Sequence, residues 1–223
     1  MVIDPRVLKG VPLFAPLSAT DLEHLAERLR RRKYGRGATI FATGDPGTSL
    51  CLIAAGRVKL ALTSVEGREA ILDLLGPGDV FGELALLDGD PRSADAVAVD
   101  PTELLLLARD DFLRFLDERP KVAVAMLSVL SRRLRRDAEL LQDAAFLDVP
   151  ARLARAILRL AEAEPDGVTR TPKLVQSDLA GMAGTTRETL NKWLGLYEDQ
   201  GLIRREEGRL AVLRPDELRR RIY

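Results

Sequence analysis

Apolar positions fall along this chain in successive rhythms, and each change of rhythm marks a boundary. In the first 34 residues a short apolar stretch (VPLF, residues 11–14) precedes a helix start at Ser18 to Asp21. Leu22, Leu25, Ala26 and Leu29 then recur at helical spacing. Arg28, Arg30, Arg31, Arg32 and Lys33 crowd the expected helix end, where cations are favoured. His24 falls on the polar side of that helix. From residue 35 to 108 the period shortens. Apolar segments at 38–42, 50–54, 58–62, 70–75, 94–99 and 104–108 alternate with turns rich in Gly, Pro and Asp. Evenly spaced short strands of this kind predict an antiparallel sandwich or barrel.

Helical spacing returns at residue 110. A short helix is expected over 110–118, and Pro120 suits the first turn of a long one running to about residue 147. Within it Leu127, Leu130, Leu134, Asp137, Leu141 and Ala144 alternate steps of three and four, a heptad seam that wants a partner helix. The same face has a second possible use, packing on the chain's own strands. A boundary follows at residues 146–150, where Asp148 can cap a new helix and Pro150 is tolerated in its first turn. That helix is expected over 152–163, ended by the PDG turn at 165–167.

Residues 176–194 then predict helix, tight turn at Gly184, and helix. Thr185 and Glu188 have capping-box spacing for the second helix. Leu179, Ala183, Leu190, Leu194 and Tyr197 make the buried side, leaving Arg187, Glu188, Asn191 and Lys192 outward. Such a unit places the start of its second helix against base edges in the major groove of double-stranded DNA. Arg187 suits guanine O6 and N7, Glu188 a cytosine amino group, and Lys192 a base or phosphate. Gln176, Ser177, Thr185 and Thr186 suit phosphate contacts that set register. Residues 201–212 predict two strands around Gly208, a wing, and Arg219 to Arg221 form a basic tail.

Composition narrows the chemistry. The chain has 223 residues and a formal net charge of +0, so basic residues matter by placement and not in bulk. Cys51 is the only cysteine, which excludes an internal disulfide framework and a cysteine-ligated iron–sulfur cluster within one chain. His24 is the only histidine, so a histidine-rich metal site of the kind jelly-roll enzymes use is absent. No metal is expected. No apolar run reaches membrane-spanning length and no signal-peptide pattern opens the chain, so the expectation is a soluble, cytoplasmic protein with no membrane partner.

The most informative stretch is GPGDVFGELALLDGDPRSA, residues 76–94. Gly82 allows close approach to backbone before a short helical turn, Arg92 supplies a planar charged fork and Ser93 a hydroxyl, all suited to a phosphate. Glu83 suits a ribose hydroxyl. Gly82, Glu83 and Leu84, followed at fixed distance by Arg92 and Ser93, resemble the phosphate-binding cassette of cyclic-nucleotide-binding domains. From about residue 10 onward the chain resembles the cyclic AMP receptor protein/FNR (Crp/Fnr) family of bacterial transcription regulators.

The resemblance implies an α+β protein: an N-terminal cyclic-nucleotide-binding β-roll, jelly-roll-like, over residues 1–119, a dimerisation helix over 120–147, and a C-terminal winged helix-turn-helix over 148–223. It implies cAMP as effector, a homodimer along the long helix, an inverted-repeat DNA site with a TGTGA-like core, RNA polymerase as a further partner, and no enzymatic activity. It places Arg133 beside Glu83 and puts Asp137-Ala138 where the family carries hydroxyl residues that reach adenine. An ionised Asp137 only accepts hydrogen bonds, so it suits the adenine amino group and, better, the paired donors of guanine. Three readings follow: a cAMP-gated regulator, one that answers cGMP, and one that binds DNA without cyclic nucleotide. A nucleotide-hydrolysing enzyme is the remote alternative.

Overall fold

The computed structural model describes residues 3–222, which form two compact units. One comprises residues up to 62 together with 72–136, the other residues 63–71 together with 137 onward. In the first unit Ser18 caps α1 (Ala19–Arg28) through a reciprocal capping box with Asp21. The helix stops earlier than its basic run predicts. Leu29 is extended (φ −78°, ψ 142°), and Arg30–Tyr34 is strand β1, not a helix end. Five polar-looking residues hid this strand. They run antiparallel to Thr102–Ala108, where Glu103 pairs with Arg31 at 3.0 Å and Lys33 at 3.8 Å.

The elements that follow in chain order are β2 (Thr39–Phe41), β3 (Ser49–Ala55), β4 (Val58–Thr63), β5 (Glu69–Leu75), β6 (Val80–Phe81), α2 (Leu84–Leu87), β7 (Asp95–Ala98), β8 (Thr102–Ala108), α3 (Arg109–Glu118) and α4 (Pro120–Phe146). Two four-stranded sheets result, in the orders β1-β8-β3-β6 and β2-β7-β4-β5. Strands β3 and β8 are buried on both faces, which is why they read as continuous apolar runs. Leu50, Leu52, Leu105 and Leu107 join a core with α1, α3 and the first turns of α4; Cys51, Ile53 and Leu104 join one with Val58, Phe81 and Ala96. The alternation is the pleat itself. Cys51 is inert there, its thiol pushed up to about 12 by burial.

Along α4, Val122 and Met126 are buried in the first core and Leu130 is half-buried against it. Leu127, Leu134 and Leu141 are instead 62%, 71% and 72% exposed. Leu130 is therefore committed in part to the chain's own core. The exposed apolar edge runs through Val124, Leu127, Leu134 and Leu141.

In the second unit Asp148 caps α5 (Val149–Leu160) by accepting from the Ala151 N–H. The helix ends before the expected residue 163, because Glu162–Ala163 is strand β9, paired with β10 (Thr169–Arg170). Then come α6 (Gln176–Met182), α7 (Arg187–Asp199), β11 (Ile203–Glu206), β12 (Arg209–Val212) and α8 (Pro215–Arg219), the strands in the order β11-β12-β10-β9. The N-cap of α7 is Thr186, whose hydroxyl accepts from the Thr189 N–H at 3.2 Å. The predicted Thr185–Glu188 box does not form. A cap one residue later leaves the Glu188 side chain exposed and uncommitted. Arg152 fastens the turn between α6 and α7, donating to the Ala183 and Gly184 carbonyls and to that of Leu147.

Candidate functional site

Two groups of side chains carry chemistry. The first lies where β6 meets α2. Gly82 has φ +79°, and a side chain there would collide with the Arg92 guanidinium, so only glycine fits. Arg92 is 5% exposed and sits over the Phe41 ring, 4.2 Å from its centroid. It donates to the carbonyls of Gly82 and of Ser49, the latter at 2.8 Å, while its Nε is buried with no hydrogen-bond partner. Burial lowers its pKa from the ordinary arginine value. The backbone around it is fixed by hydrogen bonds to Gly44 and Asp45.

Glu83, 1% exposed, pairs with Arg133 of α4, which also donates to the Val80 carbonyl. The Oε2 atom of Glu83 is buried without a hydrogen-bond partner. A hydroxyl group supplied from outside would satisfy it. Two hydrogen-bonded pairs, Arg92 with the Gly82 carbonyl and Arg133 with Glu83, are thus set on adjacent residues. Leu84, Ser93 and Asp137 are exposed and take no part in them. Asp137 lies one turn beyond Arg133 on the same helix.

A further pair escaped sequence reasoning. Asp73 is buried at an inward position of β5, between Ile71 and Leu75, and pairs with Arg136 at 2.6 Å. Burial pushes its carboxyl above the usual range, against the pull of Arg136 and Arg133. The signal was a charge on the apolar side of an alternating strand. Asp73, Arg133 and Arg136 line a cavity of about 230 Å³ whose walls do not include Gly82, Glu83 or Arg92.

The second group is the start of α7 with Gln176 of α6. Gln176 Oε1 accepts from Arg187 Nε at 3.0 Å and from Asn191 Nδ2 at 3.1 Å. Ser177, Thr186, Arg187, Glu188 and Lys192 are exposed and Thr185 is half-buried. Leu179, Ala183, Leu190, Leu194 and Tyr197 are buried beneath them. The wing follows, with Arg205 of β11 pairing with Glu198 at 3.2 Å.

Residues 31–119 match the cyclic nucleotide-binding domain family, and residues 151–221 the Crp-like helix-turn-helix domain family. The chain belongs to the Crp/Fnr family of bacterial transcription regulators. This Crp/Fnr chain is 40% identical over 206 residues to the "Cyclic AMP receptor protein" of Thermus thermophilus, covering 92% of the chain and 94% of the relative. It is 34% identical over 220 residues to the "CRP-like cAMP-activated global transcriptional regulator" of Mycobacterium tuberculosis, covering 97% and 98%. Among solved structures, the catabolite activator protein of Thermus thermophilus matches with TM-score 0.55 at 37% identity, over 95% of this chain and 98% of that one. The c-di-GMP-responsive regulator CLP of Xanthomonas campestris matches with TM-score 0.76 at 25% identity, over 88% and 99%. The α+β architecture expected from sequence, a cyclic-nucleotide-binding sheet domain, a long helix and a DNA-binding helix-turn-helix, is the one observed. Among the described residues no helix is long and apolar enough to cross a membrane.

Proposed function

We propose that this protein is a homodimeric transcription regulator gated by cAMP, without enzymatic activity. The observation that carries this is the Gly82–Glu83–Arg92–Arg133 group: a buried cation, a glycine no side chain could replace, and a carboxylate oxygen still lacking a donor. Arg92, with Gly82 and Ser93 beside it, would hold the phosphate, and Glu83 Oε2 would accept from the ribose hydroxyl. Relatives named for cAMP, at 34% and 40% identity, support the adenine nucleotide. Asp137 would contact the base, and its acceptor-only chemistry makes cGMP the necessary comparison.

Arg133 belongs to α4 and also partners Glu83, so nucleotide binding at the cassette bears on that helix. The exposed edge of α4 through Leu127, Leu134 and Leu141 suits a second copy of the helix. Gating requires only that the nucleotide bind the DNA-competent arrangement of the dimer more tightly than the other. The two recognition helices would then meet an inverted repeat with half-sites about 34 Å apart, with a TGTGA-like core. RNA polymerase would be the downstream partner.

Titration calorimetry of the purified chain with cAMP and with cGMP, followed by DNA binding with and without each, tests the reading. Binding of cAMP that tightens DNA binding is the expected result. Tighter response to cGMP would reassign the base, and DNA binding with no response to either would leave a constitutive regulator.

A further inference from the structure

Arg187 Nε carries one hydrogen and can only donate, so the Gln176 atom facing it must be the carbonyl oxygen. The second partner of that oxygen must also be a donor, which fixes Asn191 with Nδ2 toward Gln176. One oxygen thereby decides three orientations. With Nε engaged, Arg187 meets a base end-on through its two Nη groups, the fork that matches guanine O6 and N7. Asn191 can give Gln176 the Nδ2 hydrogen anti to Oδ1, which leaves Oδ1 and the syn hydrogen side by side, the pair that matches adenine N6 and N7. Asn191 stands one turn after Arg187, and a helical pitch of about 5.4 Å spans fewer than two base-pair steps of about 3.4 Å.

We infer that Gln176 is the positioning residue of the base-reading face, holding Arg187 end-on for a guanine and Asn191 for an adenine within two base pairs of it. The inference rests on the reading of α7 as the recognition helix. It makes Asn191 a specificity residue in its own right, and it separates Gln176 from a simple phosphate contact. Its own Nε2 hydrogens remain free to meet the backbone.

The test is a binding-site selection with the full chain, with and without cAMP, followed by competition between the selected duplex and duplexes changed at single bases. Gln176→Leu removes the shared acceptor, and preference at the guanine and the adenine should each fall about tenfold, within the range of one bidentate base contact. Gln176→Glu keeps an acceptor for both donors, so both preferences should survive while every sequence binds more weakly, the added charge repelling phosphates. Asn191→Ala should erase the adenine preference alone. Thermal melts of the variants would establish that each folds. If Gln176→Leu weakened all duplexes alike with the preferences intact, Gln176 would be a phosphate contact and the inference overturned. If wild-type chain selected no sequence at all, the base-reading role of α7 would fall, and this inference with it.

Discussion

Replacing Arg133 by methionine isolates the link between the nucleotide cassette and α4. Methionine keeps most of the stem's packing but removes the guanidinium. Glu83 would then be a carboxylate at 1% exposure with neither oxygen partnered, since Oε2 already lacks a donor. Removing one partner of a buried pair costs about 3–5 kcal/mol, mostly the uncompensated charge left behind. The Arg133 side chain is itself 21% exposed, so water reaches one side of the pair and the lower end applies, about 3 kcal/mol. For a chain of this size that is a fall in melting temperature of roughly 6–12 °C. The assay is scanning calorimetry of wild type, Arg133→Met, Glu83→Gln and the double variant, each with and without cAMP. Neutralising Glu83 in the Arg133→Met background should recover most of the loss, because no buried charge then remains. Wild type at a hundredfold excess of cAMP over Kd should gain about 2.7 kcal/mol, and Glu83→Gln far less. An Arg133→Met chain melting within about 2 °C of wild type would refute the argument, as would a double variant no more stable than the single one.

Four further outcomes are expected. Arg92→Leu should abolish calorimetric binding of cyclic nucleotide while the chain still folds; unchanged affinity would remove Arg92 from the site. Asp73 has its carboxyl raised by burial, so its contribution to stability is present at low pH and lost as pH rises through the folded-state value. Arg136→Gln removes the opposing pull and should cost about 1–3 kcal/mol near neutrality but little at low pH, a convergence that denaturation at several pH values would detect. Leu134→Glu should shift the chain toward monomer in light scattering at micromolar concentration, by setting like charges along the exposed edge of α4. Lys192→Ala should reduce the salt slope of DNA affinity by about one if Lys192 meets a phosphate, and leave the slope unchanged while relaxing one base if it reads that base.

Local signals were legible and tertiary ones were not. Periodicity located α3, α4, α6, α7 and the longer strands, because their apolar residues fall on fixed faces. It missed β1, whose residues RRRKY look nothing like a strand until Glu103 of β8 lies opposite. It overran α1 and α5, because charge at a helix end says nothing about where the chain turns extended. The cassette glycine, glutamate and arginine were readable together because they lie in one short loop. Asp73 was missed although it stands on the apolar side of an alternating strand, because its partner Arg136 lies on a distant helix.

The burial of Arg92 shows why such a loop is poised and not merely basic. The guanidinium is almost wholly out of water, yet its acceptors are two backbone carbonyls, and among the described residues no carboxylate forms an ion pair with it. A buried cation hydrogen-bonded to carbonyls alone and set over an aromatic face is undercompensated: burial lowers its pKa despite the opposing electrostatic pull of Glu83 and Asp45. Glu83 is the complementary case, a buried anion whose cation comes from α4 and whose second oxygen has no donor. Bringing the two together directly would satisfy both and close the site. The fold instead engages Arg92 with the Gly82 and Ser49 carbonyls and Glu83 with Arg133, holding one undercompensated positive group and one undercompensated acceptor a loop apart. A molecule carrying an anionic phosphate and a hydroxyl donor on one rigid sugar would relieve both at once, whereas a bare phosphate would relieve only the first.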